Sequence, residues 1–218
     1  LHQCNYLIYK CVLVFLIDIV YFYKTKIINL LIITIVLFIN VEIMKKKVAV
    51  LAVDPVNGAG LFQYLESFYE KGISYKVFAV SDNKNIRTNS GITLLTDDLI
   101  ANLKSHADEF DALLFSCGDA VPVFQQNANR DYNIDLLSVV REFSDKNKLM
   151  IGHCAASLIF EIAGITEGKR LAVHPLAKPA IQKGIATNDA VTIDGNFYTA
   201  QDEHAIPQLI PCLLEVLQ

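Results

Sequence analysis

The residues best suited to covalent chemistry lie in one segment, residues 149–160, with the sequence LMIGHCAASLIF. A strand-like run passes directly into a helix-like run there, and Cys154 stands at the junction between small residues, as a tight elbow requires. A thiol at the start of a helix lies near the positive end of the helix dipole and near free N–H groups, which favour the thiolate. The thiolate is the nucleophilic and oxidisable form. The same position also suits a buried structural cysteine, so the segment alone leaves both interpretations of Cys154 open.

The elements around this junction have the pattern of an α/β fold with a mostly parallel sheet. Continuous apolar runs, typical of strands buried on both faces, alternate with helix-periodic runs. We predict main strands at residues 48–53, 75–80, 111–116 and 148–153, shorter strands at 91–95, 170–173, 190–193 and 197–200, helices at 61–71, 99–103, 134–143, 155–163 and from 206, and a polar loop at 81–90. Such βαβ units have right-handed crossovers and bind ligands beyond the carboxyl ends of their strands. The turns at residues 54–60, 117–120 and 153–155 are therefore expected to meet at that edge.

The composition favours a single domain with reduced thiols. The chain has 218 residues, a formal net charge of −4 and five cysteines. That charge provides no basic surface for nucleic acid, so nucleic acid is not expected as a partner. The cysteines form no CxxC pair and no metal-ligand spacing, a pattern that suits a cytoplasmic protein without a metal or cofactor.

The first 43 residues differ from the rest of the chain because they are almost wholly apolar. Two hydrophobic runs, residues 6–23 and 27–43, approach the length of a membrane span. Lysines flank the second run on both sides, and Asp18 in the first run would be costly in lipid. We therefore expect a stretch translated from a mis-assigned start, with Met44 as the initiator of a domain at residues 44–218. The alternative is a membrane anchor, and membrane attachment is expected only if this leader is real.

Four motifs resemble the ThiJ/PfpI superfamily, and within it the branch of the Parkinsonism-associated protein deglycase. They are IGHCAAS at residues 151–157, AGITEGK at 163–169, VHPLAK at 173–178 and IDGNFYTAQ at 193–201. The motifs follow the family's order and spacing, and the resemblance extends from Lys46 to about Leu217. It implies a flavodoxin-like three-layer sandwich of the class I glutamine amidotransferase type, with a nucleophile elbow. It also implies a homodimer and a role in oxidative stress.

The resemblance assigns roles to individual residues of this chain. Cys154 matches the family nucleophile, and His174 matches a histidine near that cysteine in the deglycase branch. Gly118 matches the second glycine of the family's Pro-Gly-Gly turn. Its N–H and that of Ala155 would then face an oxyanion or an oxidised sulfur. The alternative for His174 is an ordinary loop histidine before a proline.

The chain also departs from the family at positions that matter for catalysis. The family carboxylate after the first strand falls on Gly60, and Ala155 rather than histidine follows the cysteine. Because the Cys-His pair of the hydrolase-like branches is absent, protease activity is not expected. Strand alternation should turn His153 away from Cys154, so we interpret His153 as a packed, supporting residue rather than the general base.

Four other residues near the expected site also have possible roles. Cys117 could resolve an oxidised Cys154, or it could be a small buried residue. Asp202 and Glu203 lie near a helix start, where acidic residues are ordinary caps. His204 beside them could approach the site.

Two functional hypotheses of different classes follow. In the first, Cys154 attacks small reactive carbonyls such as methylglyoxal, or glycated adducts, and His174 moves protons, as in a glyoxalase, deglycase or amidase-like enzyme. In the second, the chain is a non-catalytic relative that senses redox state or binds a ligand, having lost the family carboxylate. The expected partners are a small-molecule electrophile and a second copy of the chain.

Overall fold

The computed structural model describes residues 21–36, 46–104 and 106–218. Residues 21–36 are helical, with exposed side chains, and belong to a separate unit from residues 46–218. None of the helices in these three ranges is long and apolar enough to cross a membrane. Of the two predicted hydrophobic runs, the first lies almost wholly outside the described residues and the second lies partly outside them.

Strands and helices alternate along residues 46–218. The strands are β1 (Lys47–Val53), β2 (Ser74–Val80), β3 (Asn85–Arg87), β4 (Thr93–Leu95), β5 (Asp98–Leu99), β6 (Ala112–Ser116), β7 (Leu149–His153), β8 (Arg170–Leu171), β9 (Ile185–Ala186), β10 (Val191–Asp194) and β11 (Phe197–Ala200). The α-helices of this unit are α1 (Gly58–Glu70), α2 (Ile100–Leu103), α3 (Asp131–Asp145), α4 (Ala156–Ala163) and α5 (Ile206–Leu217). The predicted alternation of strands and helices is confirmed.

Seven of the strands form one sheet in the order β10-β11-β7-β6-β1-β2-β5. Every neighbouring pair is parallel except β10 with β11. One face is covered by α1 and α5, and the other by α2, α3 and α4. In β1, Val50 contributes to the first layer and Leu51 to the second, and both are fully buried. The continuous apolar run of β1 is explained by burial on both faces, and the predicted three-layer α/β sandwich is confirmed.

The predicted polar loop at residues 81–90 is wrong in one part. It contains β3, which pairs antiparallel with β4 in a small separate sheet. Ile86 is the one apolar residue of β3 and is fully buried, whereas its neighbours Asn85 and Arg87 are exposed. A three-residue strand with a single apolar position has no detectable period, so the sequence pattern could not indicate it.

The centre of the sheet contains the point at which the strand order reverses. From β1 the chain moves to β2 on one side and later returns to β6 on the other side. In open α/β sheets, ligands bind in the crevice at the carboxyl ends of the strands beside such a point. The segments that follow β1, β6 and β7 meet there, as the sequence predicted.

Candidate active site

Cys154 lies immediately after β7 in a backbone conformation that side chains rarely adopt. Its φ angle is 59°, one of two positive φ values at non-glycine residues in the described chain. Its N–H donates to the carbonyl of Ala200 at 3.1 Å, and its own carbonyl accepts from the N–H of His174 at 3.1 Å. The left-handed conformation costs on the order of 1–2 kcal/mol, and these two hydrogen bonds hold it in place. The predicted elbow is therefore present.

Two glycines allow the close packing that the elbow needs. A Cβ at Gly152 would lie 2.5 Å from the Cβ of Ala156, so β7 and α4 can pack this closely only without it. A Cβ at Gly118 would lie well inside 3.0 Å of the Pro55 carbonyl. Gly118 therefore lets the segments after β1 and β6 approach, where Val56 forms an antiparallel bridge with it.

The elbow opens into a pocket of about 360 Å³ that contains most of the predicted site residues. Its lining includes the predicted residues Cys117, Gly118, Cys154, Ala155 and His174. The opposite wall is largely apolar and comes from α4 and the segment after β8, with the side chains Leu158, Leu176, Ala177 and Ala180. The pocket can hold a small molecule against the sulfur of Cys154.

Cys117 and Cys154 both line this pocket, and the Cys117 thiol also lies 3.9 Å from the Gly118 carbonyl, to which it can donate. The Cys117 thiol hydrogen-bonds to the Cys154 sulfur, which lowers the pKa of Cys154 despite its partial burial. The same hydrogen bond and burial raise the pKa of Cys117 well above its ordinary value. The N–H of Ala155 reaches both sulfurs, and that of Gly118 reaches the Cys117 sulfur. Cys154 is therefore the thiol that ionises first, and Cys117 remains protonated as its hydrogen-bond donor.

Gly60 leaves no space for the carboxylate of the resembling family. A Cβ at Gly60 would lie well inside 3.0 Å of His153 Nε2, so a side chain there would meet the ring of His153 rather than the sulfur of Cys154. The position on which the family carboxylate falls is therefore occupied by the ring of His153.

His153 is fully buried on the α1 side of the sheet. Its ring lies 5.7 Å from that of Tyr64, centroid to centroid, whereas Cys154 packs against the opposite layer. Burial lowers the pKa of His153 to about 4, although the negative charges of Glu203 and Asp202 oppose that shift. Among the described residues, neither ring nitrogen has a hydrogen-bond partner. A neutral, enclosed imidazole suits the predicted packing role and not that of a general base.

His174 lies beside Cys154 and is oriented by its own loop. Its Nδ1 accepts the N–H of Leu176 at 3.3 Å, which assigns the proton of the neutral ring to Nε2. Its backbone N–H is the one that holds the Cys154 carbonyl. The loop that brings His174 to the pocket is thus also part of the support of the elbow.

The residues before α5 act mainly on the turn that leads into the helix. Asp202 Oδ1 accepts the N–H groups of His204 and Ala205 at 2.9 and 3.1 Å in the turn before α5, but the N-cap residue is Ala205 and no side chain caps the helix, so the predicted capping role of Asp202 and Glu203 is wrong. His204 is exposed and does not line the pocket, so the structure does not bring it to Cys154. The carboxylates of Glu203 and Asp202 act on Cys154 only through charge, and both oppose the lowering of its pKa.

Sequence reasoning missed Asn57 in the lining of the pocket and Glu161, which holds the loop at residues 182–184. Asn57 lines it and caps α1, where its Oδ1 accepts the N–H of Gly60 at 2.9 Å. Asparagine before a helical run is an N-cap signal that could have identified it. Glu161 of α4 accepts the N–H groups of residues 182, 183 and 184 and the hydroxyl of Thr166. No local signal indicates the contact of Glu161 with residues 182–184, because these residues lie 21 to 23 positions further along the chain.

The chemistry available in the pocket is that of a thiolate with nearby N–H donors and an imidazole. Across residues 21–36, 46–104 and 106–218, no group of three or more His, Cys, Asp or Glu side chains could hold a metal ion. The arrangement can form a covalent bond from the Cys154 sulfur to an electrophile and hydrogen-bond the atom that becomes negative.

Comparisons with known proteins identify relatives of this chain and of its fold. Residues 46–216 match the sequence profile of the DJ-1/PfpI family. Protein ppBat of Bacteroides thetaiotaomicron is 67% identical over 175 residues, which cover 80% of this chain and all of ppBat. A crystal structure from the same organism, of a protein provisionally named protease I, superposes with a TM-score of 0.79 at 67% identity and covers 79% of this chain and 99% of that one.

More distant structures share the fold. A DJ-1 superfamily protein of Salmonella typhimurium has a TM-score of 0.70 at 21% identity, with 79% of this chain and 90% of that chain covered. Drosophila melanogaster DJ-1beta has a TM-score of 0.69 at 20% identity and the same coverage. At these identities the likeness concerns the architecture and not the chemistry.

Proposed function

We propose that this chain, which belongs to the DJ-1/PfpI family, uses Cys154 as a nucleophile on small reactive carbonyl compounds or their glycated adducts. The observation that carries the proposal is the placement of the Cys117 thiol beside Cys154 in the pocket. It lowers the pKa of Cys154 without the family carboxylate, so the thiol has an activating partner of its own.

The first step is the addition of Cys154 to the carbonyl carbon. The C–S bond forms as the π electrons of the carbonyl move onto its oxygen, and N–H groups beside the two sulfurs hydrogen-bond the developing charge. His174 then supplies a proton from Nε2 to give a hemithioacetal. With a dicarbonyl such as methylglyoxal, the C–H proton of the hemithioacetal moves to the neighbouring carbonyl carbon and its hydroxyl proton moves to that carbonyl's oxygen, which gives a thioester. Water hydrolyses the thioester to a hydroxy acid and the free thiol.

The shape of the pocket supports a small substrate. Its volume of about 360 Å³ is at the lower end of ordinary ligand sites. Leu158 and Leu176 contribute apolar contact on one side, and the polar groups are concentrated around the sulfurs. A short carbonyl compound with an apolar end matches that division.

The test is carbonyl consumption by the wild-type protein and by Cys154→Ser. We expect the wild-type protein to consume methylglyoxal over many turnovers and Cys154→Ser to lose that consumption, with an unchanged urea unfolding midpoint. Cys212→Ser is the matched control, because Cys212 is a half-buried thiol on α5 outside the pocket. Unchanged turnover in Cys154→Ser would refute the proposal.

A binding role without turnover is the second candidate. It is favoured by the absence of a family carboxylate at Gly60, since a general acid or base commonly contributes about 10²–10⁴-fold to a rate. The same assay separates the two candidates. A protein of this second class would consume one equivalent of carbonyl per Cys154, retain the adduct in its intact mass and stop.

A further inference from the structure

We propose that Cys154 and Cys117 form the peroxidatic and resolving thiols of a peroxide-reducing cycle that closes through a disulfide between them. This activity goes beyond carbonyl chemistry and shares with it only a reactive Cys154. It is assigned from the position of the two cysteines in the sheet, from their contact in the pocket and from their unequal access to solvent.

The strand register places the two cysteines side by side. In the parallel pair of β6 and β7, Phe115 is the partner of Gly152. Cys117 and Cys154 each lie two residues beyond this last pair, in the turns that follow the carboxyl ends of these neighbouring strands. Neighbouring strands lie about 4.7–4.9 Å apart. That spacing falls within the range of about 4.4–6.8 Å between Cα atoms that a disulfide requires.

The side chains of both cysteines lie on the same side of the sheet. Cys117 is a member of the apolar layer formed with α3 and α4, and Cys154 packs against that layer. Both side chains line the same pocket together with Gly118 and Ala155. The two sulfur atoms can therefore bond without exchange of strands or movement of a helix.

The two thiols differ in exposure, which assigns their order of reaction. Cys154 is half-buried and faces the pocket, whereas Cys117 is only 3% exposed. A peroxide that enters the pocket therefore meets Cys154 first. Cys117 remains behind it as a protonated thiol, in the place from which it can attack an oxidised Cys154.

The cycle balances with a peroxide as oxidant and a dithiol as reductant. The Cys154 thiolate attacks one peroxide oxygen and the O–O bond breaks, which gives Cys154 sulfenic acid. The leaving alkoxide or hydroxide takes a proton and departs as an alcohol or water. The Cys117 sulfur then attacks the Cys154 sulfur, forms the S–S bond and releases water. A small or protein dithiol returns both cysteines to thiols by exchange and is itself oxidised to a disulfide.

The backbone around the pair is already fixed. The Cys117 carbonyl accepts the N–H of Asn57 at 2.9 Å, and Cys154 is held through Ala200 and His174. These contacts involve main-chain groups only, so they persist while the sulfurs change partners. The elbow therefore keeps its shape through the cycle.

The decisive experiment is peptide mapping of the full-length protein after treatment with one equivalent of hydrogen peroxide under non-reducing conditions. We expect one peptide pair joined through Cys117 and Cys154, which dithiothreitol separates. Mapping identifies the joined residues directly, so other cysteines of the chain do not confuse the result. Cys154 sulfenic or sulfinic acid with Cys117 still reduced in the wild-type protein would overturn the proposal.

Cys117→Ser provides the matched variant, because a hydroxyl retains a hydrogen-bond donor beside Cys154 but cannot form a disulfide. We expect this variant to lose dithiothreitol-dependent peroxide turnover and to accumulate Cys154 sulfenic acid that a dimedone probe traps. Cys212→Ser is the control, because Cys212 lies on α5 outside the pocket, and it should keep the peroxide turnover of the wild-type protein. Peroxide turnover at the wild-type rate in Cys117→Ser would show that Cys117 is not the resolving thiol.

Discussion

His153 should make the stability of the domain depend on pH between about 4 and 6.5. Its pKa is about 4 in the folded chain, because the ring is fully buried, against about 6.5 in an unfolded chain. Within that window the unfolded state binds more protons than the folded state, so stability falls as the pH is lowered. The loss begins as the pH drops below about 6.5 and is complete below about 4.

The size of the effect follows from the two pKa values. At pH 5 the unfolded state gains a factor of about 30 from protonation of His153, whereas at pH 7 the factor is close to 1. The free energy of unfolding should therefore fall by about 2 kcal/mol between pH 7 and pH 5 through this residue alone. Full protonation would cost about 3 kcal/mol.

Urea unfolding at pH 7 and pH 5 measures this loss, and His153→Leu isolates it. The variant has no titrating ring, so the wild-type protein should lose about 2 kcal/mol more than the variant over the same interval. At pH 7, removal of two buried nitrogens without partners should favour His153→Leu by an amount on the order of 1–3 kcal/mol, less any cost of repacking. His106→Gln is the control, because His106 is exposed and its replacement should leave the wild-type pH dependence in place.

Equal losses in the wild-type protein and His153→Leu would refute this reasoning. They would mean that the folded chain binds a proton at His153 as readily as the unfolded chain does, which requires a solvated or paired ring. The packing against Tyr64 and the contact with Gly60 would then both be wrong.

Three further predictions concern the surroundings of the thiol. Gly60→Glu should lower the urea unfolding midpoint, because the new Cβ meets the His153 ring. The double variant Gly60→Glu with His153→Ala should recover part of that loss. An unchanged midpoint in Gly60→Glu would contradict the contact. Cys117→Ala should raise the pKa of Cys154 measured by the pH dependence of alkylation, whereas Cys117→Ser should raise it less. Glu161→Ala should leave three backbone N–H groups without their acceptor and lower the free energy of unfolding in urea by about 1–3 kcal/mol. Hydrogen exchange at residues 182–184 should become faster. Wild-type exchange rates there would contradict the role assigned to the carboxylate.

The parts of the fold that the sequence could predict are those encoded in contiguous residues. The apolar run of β1 reflects burial on both faces, and the small residues around Cys154 reflect the packing of Gly152 against α4. Both signals come from neighbours in the chain, so they can be recognised in the sequence. The strand β3 has a single apolar residue and could not be recognised in this way.

The parts of the site that the sequence could not predict depend on contacts between distant segments. The hydrogen bond of Cys117 to Cys154 arises from the register of β6 and β7, which hydrophobic patterns do not determine. The filling of the Gly60 position by His153 depends on how α1 packs over β7. In the proposed function, the first of these provides a thiol donor in place of the family carboxylate.

The two hydrogen bonds that hold the backbone of Cys154 also set the order in which the site can assemble. Their partners, His174 and Ala200, follow Cys154 in the chain by 20 and 46 residues, and Ala200 belongs to the last strand. A chain that emerges from the ribosome N-terminus first therefore exposes the cysteine well before the elbow can be locked. Until β11 pairs with β7, Cys154 lacks the support for its left-handed conformation. The elbow around Cys154 is thus completed among the last parts of the domain, and a chain truncated before residue 200 would contain the cysteine without the hydrogen bond to Ala200 that supports its left-handed conformation.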